Sequence, residues 1–300
     1  MRIATAAYPL DWFDTWTAFE SKARAWVSEA AEQGAELLVF PEYGAMELAS
    51  LAGRNVSMDM EQSLHAVSER IEQSDAVYTK LAVEFGVHIL TPSAPVFDMN
   101  VHPDRPVNRA RLVAPNGKSA VQDKQIMTMT ERDPMHVATG SAPLTLFDTT
   151  LGKIGILTCY DSEFPLLGRA LVEAGVDYFL VPSCTGDLSG YWRVRIGAMA
   201  RALEGQCVSV MASLVADVDW LTSTSNTTGM GGIFGPPDTG FPKTGVLAEG
   251  VLGKTGWTFA DAPLASIQHV RREGVVRNAT HWSEKEAVKS ALPVTYCDLR

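Results

Sequence analysis

What most constrains this chain is alternation: short runs of β-branched and aliphatic residues trade places with longer amphipathic stretches from one end to beyond residue 210. The runs predict strands over residues 2–7, 36–40, 87–91, 110–114, 119–122, 153–158, 178–181 and 208–214. The stretches between them predict helices over residues 15–33, 58–85, 164–173 and 191–203. In the first helix Trp16, Phe19, Ala23, Trp26, Val27 and Ala30 recur at helical spacing, an apolar stripe that must face a sheet. Strand and helix in this order specify an α/β fold. Asn116-Gly117 marks one hairpin and Leu151-Gly152 another.

A stretch repeats. Residues 33–42 (QGAELLVFPE) match residues 174–183 (AGVDYFLVPS): each turns at a glycine after a helix, runs through an apolar strand and stops at proline. Two related halves follow from this, and with no Pro/Ser-rich linker between them the expectation is one domain over residues 1–300 with two stacked sheets. The glycines at 229, 231, 232 and 235, set among prolines, read as a mobile loop over a site. Residues 281–300 lack periodicity and read as an arm at a subunit interface.

Composition removes several classes of function. With 46% hydrophobic and 20% charged residues the chain can bury a large core, so disorder is excluded as its main state. Acidic residues outnumber basic ones, 35 to 25, and no Lys/Arg cluster offers a footprint for nucleic acid. No apolar window is long enough for a membrane span and the start has no export signal, so a cytoplasmic location is expected. The four cysteines, Cys159, Cys184, Cys207 and Cys297, show no C-x-x-C spacing, which argues against structural zinc and a disulfide framework.

What remains is one or more buried thiols, or a nucleophile. Cys159 ends the run Ile154–Leu157 just before a turn into a helix, where following backbone N–H groups can face an oxyanion. None of the six histidines sits in a comparable position, so the usual Cys-His pairing has little support. Two other polar residues do end strands: Glu42, after Leu37–Pro41, and Lys124, after Val121–Asp123. A base, an ammonium and a thiol at strand ends form a plausible chemical set for an open α/β sheet.

Phe40-Pro41-Glu42, Asp123-Lys124 and Thr158-Cys159-Tyr160-Asp161 resemble, in order and spacing, the three signatures of the nitrilase or carbon–nitrogen hydrolase superfamily. The resemblance implies a four-layer α-β-β-α sandwich of two mixed sheets with helices outside. It implies a Glu42-Lys124-Cys159 triad, Glu131 as an additional glutamate that orients substrate or lysine, and no metal or organic cofactor. It also implies a homodimer or higher homo-oligomer. By the same resemblance Tyr160 is expected to contribute a backbone N–H to the oxyanion site, and Tyr43, Glu163, Cys184, Thr185 and Trp192 are candidates for the pocket wall. After Cys159 this chain has Tyr160-Asp161 where nitrilases carry Trp-Glu, so an amide is the expected substrate class. Where many members have Glu-Asn it has Glu204-Gly205, read as a helix C-cap. The expectation is a hydrolase of a small linear carboxamide or N-carbamoyl compound. The alternatives are a nitrilase, an acyl-transferring member, or a silent binding subunit.

Overall fold

The computed structural model describes residues 1–140, 143–282 and Cys297. Its strands are β1 (Arg2–Tyr8), β2 (Leu37–Val39), β3 (His88–Leu90), β4 (Ala94–Val96), β5 (Val107–Val113), β6 (Ser119–Asp123), β7 (Leu146–Thr149), β8 (Gly152–Ile156), β9 (Tyr178–Ser183), β10 (Val208–Leu214), β11 (Ala216–Asp217), β12 (Asn226–Thr227), β13 (Gly232–Phe234), β14 (Val246–Glu249) and β15 (Gly256–Asp261). The α-helices are α1 (Trp16–Glu32), α2 (Arg54–Met58), α3 (Met60–Phe85), α4 (Met129–Arg132), α5 (Pro165–Glu173), α6 (Leu188–Gly205), α7 (Leu264–Glu273) and α8 (Asn278–His281). The expected α/β alternation is present. Most of the expected 281–300 arm lies outside the described residues.

Parallel pairing of β2 with β1 and β3, and of β9 with β8 and β10, builds the centre. Every residue of β2, β9 and β10 is buried, which is why these strands read as unbroken apolar runs rather than as alternation. The two expected sheets meet in one connected ladder, because Ala7 and Tyr8 at the end of β1 pair with Ser213 and Leu214 at the end of β10.

Core side chains sort by strand face. Ala4, Leu38 and Phe40 pack with Phe19, Ala23 and Val27 of α1. Their strand neighbours Ile3, Leu37 and Val39 share a second cluster with Ile154, Ile156, Leu180 and Val210 from the other half. Phe179, Val181 and Met211 pack with Val194, Ala198 and Ala202 of α6. The period-two strand pattern thus separates three apolar layers.

The repeat is visible in the backbone. Gly34 and Gly175, ahead of β2 and β9, both take a left-handed φ, +80° and +94°, which glycine adopts without the strain a Cβ brings. The glycine-rich segment corrects its expectation. Gly232–Phe234 is the buried strand β13, paired to β10 and β14, and a Cβ on Gly229 would lie 2.5 Å from that of Ser213, so glycine is there for close packing. Gly205 is also not the cap: Gln206 takes the left-handed turn, and a Cβ on Gly205 would meet Val172 at 2.8 Å.

Candidate active site

Four strand ends converge. Pro41 stops β2 and delivers Glu42; Lys124 follows β6; Leu157 and Thr158 carry β8 into Cys159; Cys184 follows β9. Glu131 comes from α4, whose N-cap Thr128 forms a reciprocal capping box with it. Glu42, Lys124 and Glu131 are all buried, so Glu131 is not the solvated carboxylate that its neighbours Arg132 and Asp133 suggest.

The Lys124 Nζ ammonium donates to Glu42 Oε1 at 2.8 Å and to Glu131 Oε2 at 2.6 Å. Burial pulls the lysine down, but the two carboxylates outweigh it and hold it well above its ordinary value. Glu131 is enclosed by donors: Lys124, the Thr128 N–H and hydroxyl at 2.9 Å each, Tyr43 OH at 2.9 Å and Asn108 Nδ2 at 3.3 Å. Burial would raise it; Lys124 and these bonds keep it below the usual carboxylate range.

Glu42 is different. Its Oε1 accepts from Lys124 and from Asn108 Nδ2 at 2.9 Å, and its Oε2 accepts the Cys184 N–H at 2.9 Å. Burial, with Glu131 adding its charge, outweighs Lys124 and raises the Glu42 carboxyl. Cys159 interacts with that carboxylate, and its Sγ lies 3.8 Å from the Cys184 carbonyl oxygen. Burial and the Glu42 charge push the thiol up well above its ordinary value, with Lys124 pulling against them. The proton therefore rests on sulfur beside a carboxylate of raised basicity, an arrangement suited to handing that proton over when a carbonyl approaches.

Cys159 itself has a left-handed φ of +50°, as does Tyr43 at +56°. Such backbone costs about 1 kcal/mol or more in a non-glycine residue and concentrates at functional turns.

Among the other expected wall residues, Tyr43 and Cys184 bond into this network. Thr185 donates its hydroxyl to the Thr228 carbonyl, and Tyr160 stands edge-on to Phe164. Glu163 lies 3.7 Å from Arg193. Trp192 is 45% exposed on the first turns of α6, edge-on to Tyr191.

Two residues escaped sequence reasoning. Asn108 on β5 is fully buried, and Ser93 Oγ donates to its Oδ1 at 2.7 Å while accepting the Tyr43 N–H at 2.9 Å. This orients the Asn108 amide so that its NH2 faces both glutamates. The available signal was an uncharged polar residue on the same strand face as Ala110 and Leu112, where an apolar one is expected.

Among the described residues no group of three or more His, Cys, Asp or Glu could hold a metal ion, and no helix is long and apolar enough to cross a membrane.

"Probable hydrolase YhcX" of Bacillus subtilis is 29% identical over 278 residues, 92% of this chain; the chain spans about half of that relative, 52% of its length. An (R)-stereoselective amidase of Pseudomonas is 30% identical over 194 residues, 61% of each chain. Among solved structures, the amidase from Nesterenkonia sp. AN1 superposes with a TM-score of 0.65 at 22% identity, over 91% of this chain and 95% of its own. Nit3 of Saccharomyces cerevisiae, a nitrilase-superfamily member, gives 0.69 at 19% identity over 91% and 93%. These structures share the fold. The Carbon-nitrogen hydrolase sequence profile matches residues 2–233, which include every residue of the Glu42, Lys124, Glu131 and Cys159 cluster, and the chain accordingly belongs to the carbon–nitrogen hydrolase family.

Proposed function

We propose that this chain is a cysteine-dependent amidase that hydrolyses a small linear carboxamide or N-carbamoyl compound to the acid. The observation that carries the reading is the buried Lys124 ammonium held between Glu42 and Glu131, with the Cys159 turn and the Cys184 backbone closing on the same glutamate.

Glu42 takes the thiol proton as Sγ attacks the carbonyl carbon; the S–C bond forms and the π pair moves to oxygen. Lys124 Nζ and the Tyr160 N–H stabilise that oxyanion, donors worth about 3 to 4 kcal/mol each. The oxyanion collapses, the C–N bond breaks, and Glu42 returns the proton to the departing nitrogen. Water then loses a proton to Glu42 and adds to the thioester. Collapse of the second tetrahedral intermediate breaks the S–C bond, the proton returns to sulfur, and the acid leaves. Glu131, its oxygens occupied by five donors, acts on Lys124 rather than on substrate. No metal or organic cofactor enters these steps.

The amidases among the relatives support an amide substrate, as does the Tyr160-Asp161 sequence. The fold is proposed to work as a four-layer α-β-β-α sandwich in one domain, the three apolar layers corresponding to its three interfaces. We read the chain as a homodimer. An exposed stripe of Leu188, Trp192, Ile196 and Leu203 along α6, together with exposed Leu166 on the neighbouring helix α5, supplies the apolar face. The free thiols of Cys159, Cys184 and Cys207 suit a reducing cytoplasm.

Ammonia release across a panel of amides, N-carbamoyl compounds and nitriles, for the parent and for Cys159→Ala, tests the reading. Release that survives the substitution removes Cys159 as nucleophile. Nitrile turnover, acyl transfer to an added amine, or a silent parent would favour the nitrilase, transferase or binding-subunit alternatives.

A further inference from the structure

The Cys159 turn carries a buried acid of its own. Asp161 is 1% exposed and directs its carboxylate at the backbone just beyond Lys124: Oδ1 accepts the Ile126 N–H at 2.8 Å and the Gln125 N–H at 3.2 Å, and Oδ2 accepts the latter at 3.1 Å. Its side chain is not spent on its own turn, which is closed by backbone bonds from Asp161 N–H to Thr158 and from Phe164 N–H to Asp161.

Lys124 is gripped from other directions as well. Its N–H donates to the Asn108 carbonyl at 2.9 Å, and its carbonyl accepts the Gly140 N–H at 3.0 Å. A Cβ on Gly140 would lie 2.9 Å from that carbonyl oxygen, so only glycine lets this strand of chain close on it. Asp161 supplies the grip that comes from the thiol's own turn.

We propose that Asp161 is a positioning residue that ties the Lys124 backbone to the Cys159 turn, and so sets where the ammonium stands relative to the sulfur and the oxyanion. The inference rests on the reading of Cys159 as nucleophile and Lys124 as oxyanion donor. Lys124 and Cys159 follow different strands, so without a link each could shift on its own. Charge-assisted bonds are roughly twice as strong as neutral ones, which suits a carboxylate to this link. Keeping the group ionised is costly, since burial pushes Asp161 up to about 7 against the two N–H donors and Lys124. The chain retains a costly acid whose bonds all go to the residues that aim Lys124.

The test uses the full chain, with kcat and KM for the best amide of the panel and the rate at which iodoacetamide alkylates Cys159, read by intact mass. Asp161→Ala should lower kcat on the order of 100-fold with KM little changed, the cost of a misplacement near 1 Å. It should also slow alkylation, because Lys124 no longer favours the thiolate. Asp161→Asn should recover most of both losses: its amide oxygen in the Oδ1 position can accept both N–H groups. Equal losses in the Ala and Asn variants, or unchanged kcat and alkylation in the Ala variant, overturn the proposal. Should Asp161→Ala not fold, Ile126→Pro deletes the shorter bond from its other end and carries the same expectation; undiminished kcat and alkylation there overturn it. A parent inert to every amide, yet with alkylation that depends on Asp161, would sink the amidase reading and leave the positioning role standing.

Discussion

Asn108 donates from Nδ2 to Glu42 Oε1 at 2.9 Å, a bond that neither an ionised acid nor an alkyl group of the same size can make. Replacing it by Asp faces a carboxylate with two others; replacing it by Leu leaves lone pairs of Glu42 and Glu131 buried without a donor. Both variants should lose at least about tenfold in kcat/KM, a loss of more than about 1.4 kcal/mol in transition-state stabilisation. Steady-state kinetics beside a thermal melt would separate this from unfolding.

Lys124→Met removes the ammonium and keeps much of the shape. Breaking a buried ion pair costs about 3 to 5 kcal/mol, because the stranded charges have nowhere to go. Glu42 and Glu131 would then rise together, so the folded variant would bind protons that the unfolded chain releases. Its stability deficit should therefore be larger at pH 8 than at pH 5. Urea midpoints at the two values check this, and a deficit that grows on acidification would contradict it.

For Asp161 the sign follows from a folded value of about 7 against an ordinary value of 3.8. The folded protein holds this proton where the unfolded chain has lost it. The stabilising contribution is complete below about pH 4 and disappears as pH rises through 7. Asp161→Asn has no such titration, so the difference in unfolding free energy between variant and parent should shift in the variant's favour between pH 5 and pH 8.

Gly229→Ala places a methyl group 2.5 Å from the Ser213 Cβ. Overpacking of this kind costs about 1 to 3 kcal/mol. A lowered melting temperature is expected, with the β13–β10 pairing as the element that gives way.

Ile196 is 64% exposed in the middle of the α6 stripe. Ile196→Glu should convert the proposed dimer to a monomer in sedimentation while leaving the fold's circular dichroism intact. A parent that already sediments as a monomer would remove the dimer reading.

How much of this was legible in the sequence depended on the kind of signal. Buried parallel strands announce themselves as apolar runs, so β1, β2, β9 and β10 were found to within a few residues. Glu42 and Cys159 stood out because each follows such a run, and Lys124 because it follows a hairpin strand. The strands from β11 to β15 were hidden, since β11 to β13 are only two or three residues long and glycine at 229 to 235 mimics a loop while serving close packing. Asn108 and Asp161 were missed as positioning residues for a different reason. Their roles depend on partners, up to 66 residues away in the case of Asn108, that only the folded chain brings near.

Glu42 joins two parts of the polypeptide: one oxygen serves Lys124 and Asn108, the other the N–H of Cys184, 142 residues downstream. Synthesis delivers the acid and the ammonium well before the sulfur and its neighbour. Under the proposed chemistry a nascent chain on the ribosome holds only an ordinary thiol, with nothing to awaken it. Competence requires β9 to pair with β8 and β10, because only that pairing brings the Cys184 N–H to the second oxygen of Glu42.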